Sequence, residues 1–148
     1  PIKKETDLVS LIKNTLAVFQ GNEKYEIAFN SEPIEANVYI DKDQIVQVLN
    51  NLIKNAIQSF YDKDSGEIKV NIVKNVAKKS FEVSIIDNGS GIDEEHMKSV
   101  FIPRFTTKTT GSGIGLSLVK QIVENHGGNI SFSSVLNEGS VFSFSLPA

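Results

Sequence analysis

The sequence predicts an α+β fold of two layers, a mixed and mostly antiparallel sheet of about five strands or more with three main helices on one face. Three observations predict it. Three segments repeat apolar residues at three- and four-residue spacing, as helices with one buried stripe do. Several shorter segments alternate apolar and polar residues, as half-buried strands do. Tight turns such as Lys78-Lys79 and Asn137-Glu138-Gly139 separate neighbouring alternating segments, which points to antiparallel pairing.

Thr6 or Asp7 can cap a first helix through Leu8, Leu11, Ile12, Leu16 and Phe19, ended by Gly21. Tyr25, Ile27 and Phe29 alternate inward along a first strand, which Glu32-Pro33 breaks, and the short β-branched run Asn37 to Ile40 reads as a second. Asp41 or Asp43 then caps a long helix with the stripe Ile45, Val48, Leu49, Leu52, Ile53, Ala56, Ile57 and Phe60, ending near Tyr61. After a turn over Asp62 to Gly66, Ile68, Val70 and Ile72 pair with Phe81, Val83 and Ile85 as an antiparallel couple. Asp93 to Val100 suits one or two turns of helix. Phe101 to about Gly113 shows no period and reads as a mobile loop, of the length that in compact domains is usually functional. Ile114, Leu118, Val119, Ile122 and Val123 mark a third helix stopped by His126-Gly127-Gly128. Asn129 to Ser134 and Ser140 to Leu146 close the sheet.

At 148 residues the chain is long enough to bury a core as one domain. Its 15 basic and 18 acidic residues give a net charge of -3, which argues against nucleic-acid binding. With no cysteine, disulfides and thiolate metal sites are excluded. No apolar run is long enough to span a bilayer, so no membrane contact is expected of this domain. A start at Pro1 suggests a piece of a longer protein, whose membrane anchorage is left open.

Four polar segments exceed what a core requires. At about 100° per residue, Asn51 and Asn55 stand about 40° apart along one margin of the long helix's stripe. Either packing satisfies these amides or a polar ligand or metal ion does. Asp87-Asn88-Gly89-Ser90-Gly91 is either a tight turn or an acid at a strand end, with glycines that let a flat ring approach. Gly111-Ser112-Gly113-Ile114-Gly115 is either a helix-entry loop or an anion site of glycine N–H groups at a helix N-terminus. Lys108 is a surface lysine or, three residues before those glycines, a phosphate counter-charge. The dinucleotide fingerprint fails, because the glycines run GxGxG after a loop. No Walker P-loop and no protein-kinase signature occurs.

In this order the segments resemble the catalytic, ATP-binding domain of sensor histidine kinases, in the GHKL superfamily with its Bergerat fold. The N box resembles Asn51-Leu52-Ile53-Lys54-Asn55-Ala56, and the first glycine box Asp87-Asn88-Gly89-Ser90-Gly91-Ile92. The F box looks like Phe101 to Lys108, with Thr106-Thr107-Lys108, and the second glycine box like Gly111 to Leu116. The closing run Glu124-Asn125-His126-Gly127-Gly128 is also typical, and the resemblance covers nearly all of the chain.

The resemblance implies that Mg²⁺ is ligated by Asn55, with Asn51 one turn away near the phosphates. It implies that Asp87 accepts from the adenine amino group, while Gly89, Gly91 and Ile92 line the base. Lys108 and the backbone of Gly113, Ile114 and Gly115 would hold the β- and γ-phosphates beneath an ATP lid over about 101–113, with Thr107, Gly111 and Leu116 also in the nucleotide site. Asn51, Asn55 and Lys108 would carry the catalysis. ATPases of the superfamily place a water-activating glutamate four residues before the metal asparagine. Asn51 has no lone pair basic enough for that at neutral pH, which favours phosphoryl transfer to an imidazole. Ile102, Arg104 and Gln58 depart from common family residues. His96 and His126 lack the context of a phospho-acceptor, so the accepting histidine is expected on a separate dimerisation domain of the parent protein. A downstream response regulator, a homodimeric parent and a cytoplasmic location, with the parent anchored in the inner membrane or not, follow from the same likeness. A GHKL-type ATPase or an inactive nucleotide-binding module are the competing functions.

Overall fold

The computed structural model describes residues 2–92 and 114–148. The order is β1 (Lys4–Asp7), α1 (Leu8–Ala17), β2 (Tyr25–Ser31), β3 (Asn37–Ile40), α2 (Lys42–Gln58), β4 (Gly66–Asn75), β5 (Ser80–Asp87), α3 (Ile114–Asn125), β6 (Ile130–Val135) and β7 (Gly139–Pro147). The segments expected as a short helix over Asp93 to Val100 and as the loop or lid over about 101–113 lie outside the described residues.

Five strands form the main sheet in the order β2-β4-β5-β7-β6. The expected antiparallel couple is β4 with β5, in the register Val70 to Ile85 and Ile72 to Val83. β5 to β7 and β7 to β6 are also antiparallel. The mixed character comes from β2, which runs parallel to β4 with Ile27 opposite Ile68 and Phe29 opposite Val70. A parallel pair needs a crossover connection, and here β3 and α2 form it.

The alternation works as read. Ile68, Val70 and Ile72 on β4, and Phe142, Phe144 and Leu146 on β7, are buried, whereas Glu67 and Lys69, which flank Ile68, are exposed. Among the described residues, the three helices are joined through α2, which contacts both of the others, and each also contacts strands of the main sheet. Their stripes meet the apolar sheet face in one core. Leu8 and Ile12 of α1, Leu49, Leu52 and Ile53 of α2, and Val119 and Val123 of α3 are all fully buried there.

Three features differ from expectation. The first helix closes at Ala17, short of Phe19 and Gly21, and Phe19 N–H tightens onto Leu16 O (2.9 Å). β3 does not join the main sheet; it pairs with β1, a strand not foreseen, in a separate antiparallel ribbon with Thr6 opposite Val38. β1 carries no apolar periodicity, so only its partner reveals it. The long helix closes at Gln58, and the next residues tighten into i to i−3 bonds, Phe60 N–H to Ile57 O (3.1 Å) and Tyr61 N–H to Gln58 O (3.2 Å).

The open cap choices resolve to Asp7 and Asp41. Asp7 Oδ1 accepts from the N–H of Val9 (3.1 Å) and also, across 29 residues, from that of Ala36 (2.9 Å). Asp41 Oδ1 accepts from Asp43 N–H (3.1 Å) and Gln44 N–H (3.3 Å) at the start of α2. Each satisfies orphan donors of a first turn.

Candidate functional site

α2 and its C-cap residue place Asn51, Asn55 and Ser59 on one i, i+4, i+8 row beside the buried stripe. Asn51 is half-buried, and its Nδ2 donates to Gln47 O (2.9 Å), back along the helix. One amide hydrogen is thereby committed, which leaves Asn51 its second N–H and its Oδ1 for a ligand. A shallow cavity of about 390 Å³ opens beside it, lined by Asp43, Gln47, Asn50 and Lys54 among others. Asn55, half-buried, stands one turn further on.

Where α2 ends, β5 ends too. Asp87 is its last residue and is buried, 6% exposed. A buried carboxylate is costly without hydrogen bonds. Its Oδ1 accepts from Gly89 N–H (2.9 Å) and lies 3.2 Å from the Ser59 hydroxyl. The remainder of the first glycine box is held on the other sides. Asn88 Oδ1 accepts from Glu67 N–H (2.9 Å) on β4, and Ser90 N–H donates to Ser59 O (2.9 Å). Ser90 O accepts from Asn137 N–H (2.6 Å), and Ile92 N–H donates to Ser134 Oγ (2.7 Å), so the β6–β7 hairpin braces the loop.

Two glycines are required by these approaches. A Cβ on Gly89 would lie 1.8 Å from Ser59 Oγ. Gly91 has φ +71, and a Cβ there would lie 2.2 Å from Val135 O. Its absent side chain therefore accommodates the hairpin backbone, a demand independent of any base.

α3 packs against α2. Its last turn meets the first turn of α2, because His126 Nε2 accepts Asp41 N–H (3.1 Å). With a rise of about 1.5 Å per residue, the 12 residues of α3 extend about 18 Å from that junction. The same distance along α2 from Asp41 reaches its Asn51–Asn55 turn. Ile114 and Gly115 open α3, and Leu116 packs against the core. Thr107, Lys108, Gly111 and Gly113 lie outside the described residues.

The histidines divide similarly. His96 lies outside the described residues. His126 is buried, with Nδ1–H donating to Ile122 O (2.8 Å) and Nε2 accepting from Asp41. Both ring nitrogens serve the helix junction, a structural use.

Among the described residues, no three His, Cys, Asp or Glu side chains gather as a metal cage. The amide oxygens of the Asn51–Asn55 turn are hard donors, and they suit an ion such as Mg²⁺, which takes few protein ligands and keeps water and phosphate oxygens. Asp87, at the other end of the row, suits an amino group. Ser59 is the residue that sequence reasoning passed over. Its signal was its place on the row begun by Asn51 and Asn55.

Residues 40–148 match the family model described as histidine kinase-, DNA gyrase B-, and HSP90-like ATPase. The sensor histidine kinase ZraS of Escherichia coli (strain K12) is 35% identical over 144 residues, 95% of this chain but 30% of ZraS. This chain thus spans about a third of the length of that curated relative. The catalytic domain of histidine kinase ThkA superposes with a TM-score of 0.87 at 33% identity, covering 99% of this chain and 96% of that one. ThkA solved in complex with response regulator protein TrrA matches at TM-score 0.79 and 31% identity, over 98% of this chain and 41% of ThkA. The chain belongs to the histidine kinase-, DNA gyrase B- and HSP90-like ATPase family, on its sensor histidine kinase branch.

Proposed function

We propose that this chain binds Mg·ATP between α2, the first glycine box and the start of α3, and donates the γ-phosphoryl group to a histidine on a separate dimerisation domain of its parent protein. The observation that carries the proposal is the Asp87 carboxylate, buried and held by Ser59 and Gly89 at the foot of the Asn51–Asn55 row. It supplies an acceptor for the adenine amino group one end of the row away from amides suited to the phosphate end. Asn55 would hold Mg²⁺, which when bound neutralises charge on the phosphate oxygens. Asn51 orients by hydrogen bonding and takes no proton. Lys108, with Thr107 and the backbone of Gly111, Gly113 and Gly115, would hold the β- and γ-phosphates.

Asn51 in place of an acid favours transfer over hydrolysis, because water needs a base and an imidazole is a nucleophile already. A response regulator then takes the phosphoryl group from the histidine. Mixing this chain with Mg·ATP and a dimerisation domain carrying the acceptor should yield acid-labile phosphohistidine. Measured ATP binding with no such product would overturn the transfer. Steady phosphate release by the chain alone, abolished in Asn55→Ala, would assign an ATPase instead.

A further inference from the structure

We infer that Ser59 is a positioning residue for base recognition: its hydroxyl orients the Asp87 carboxylate and so sets selectivity for a purine bearing an exocyclic amino group. This rests on the role proposed for Asp87 above.

Ser59 Oγ lies 2.5 Å from Ala56 O and 3.2 Å from Asp87 Oδ1. A carbonyl and a carboxylate only accept, so the single hydroxyl proton is shared between them as a three-centre bond. The bond to Ala56 alone would suffice to finish a helix. The contact with Asp87 reaches across 28 residues to the end of another element. Both side chains are 6% exposed, so bulk water competes little for either. Gly89 makes the approach possible, since a Cβ there would strike the hydroxyl.

The same residue is tied twice. Its carbonyl accepts Ser90 N–H (2.9 Å), while Gly89 N–H and the Ser59 hydroxyl converge on Oδ1. Two donors on one oxygen fix the plane of the carboxylate, and with it the direction of Oδ2. A 6-amino purine donates to a carboxylate so oriented; a 6-oxo purine presents an acceptor and is repelled. Ser59 also continues the Asn51–Asn55 row, so the carboxylate is registered against the helix that carries the phosphate-end amides.

Affinities for ATP and for inosine triphosphate, its 6-oxo counterpart, measured by calorimetry with Mg²⁺ test this in the whole chain, Ser59→Ala, Asp87→Asn and the double variant. Ser59→Ala should narrow the preference for ATP about three- to tenfold, the scale of one hydrogen bond, and should add nothing in the Asp87→Asn background. A lower melting temperature with an unchanged ATP-to-inosine ratio would make the hydroxyl merely structural and overturn the inference. A ratio unchanged in Asp87→Asn itself would instead remove the role of Asp87, and that of Ser59 with it. Should Ser59→Ala not fold, Ser59→Cys, which fills the site with a larger atom and a weak donor, is read by the same ratio.

Discussion

The two ends of α2 are closed by the same kinds of bond to different ends. At the start, the Asp41 carboxylate accepts backbone N–H groups of Asp43 and Gln44 on one oxygen and that of Ile2 (3.1 Å) on the other, while His126 takes Asp41 N–H. That knot draws the chain entry, α2 and α3 together, and its polar groups answer backbone. At the finish, a hydroxyl and a glycine N–H converge on one oxygen of a carboxylate that belongs to β5. Here glycines let backbone and side chains approach closely, and the acid is supplied by another element, not by the helix's own cap. The first arrangement stabilises a helix. The second uses a stabilised helix to aim an acid.

That contrast predicts separable losses. Asp87→Asn keeps an oxygen for Gly89 and Ser59 but loses an acceptor for the base. It should weaken ATP binding by about 1–3 kcal/mol, with the fold retained. Calorimetry showing unchanged affinity would erase the difference between the two ends. Asp41→Ala should do the reverse, lowering unfolding free energy by about 1 kcal/mol for a lost N-cap. Urea melts read the stability, and ATP affinity in folded protein should stay at the parent value. A large affinity loss there would mean that the start of α2 also governs the site.

How far this was legible in the sequence varies with the range of the interaction. The stripes of α1, α2 and α3 and the alternation of β4, β5 and β7 are local patterns, and all survive in the fold. Asp87 was legible because an acid followed by glycines at a strand end is a local signal as well. Pairing partners are not local. Nothing in Tyr25 to Ser31 says that it runs parallel to β4, and nothing in Lys4 to Asp7 marks a strand at all, until Asn37 to Ile40 lies beside it. Ser59 was missed for the same reason. Its place on the Asn51–Asn55 row is a local sign, but the contact that gives it a use, with Asp87 at 3.2 Å, is not.

Asp7 offers the finest version of the comparison, a helix cap that also reaches across the fold. Burial by itself would push its carboxyl up, but the N–H of Ala36, the Ser10 hydroxyl (2.8 Å) and the N–H groups of Val9 and Ser10 together hold it below its ordinary value of 3.8. A lowered folded value means that the unfolded chain binds the proton more readily. The charged form therefore stabilises the fold above the unfolded value, and that contribution is lost as pH falls through the folded one. Asparagine caps nearly as well but carries no charge, so Asp7→Asn isolates this term at a few tenths of a kcal/mol near neutral pH. Urea unfolding of parent and variant at pH 7, 5 and 3 should show the gap present at the first two and closing at the third. A gap that stays constant down to pH 3 would show that Asp7 acts by shape alone, as a neutral cap would.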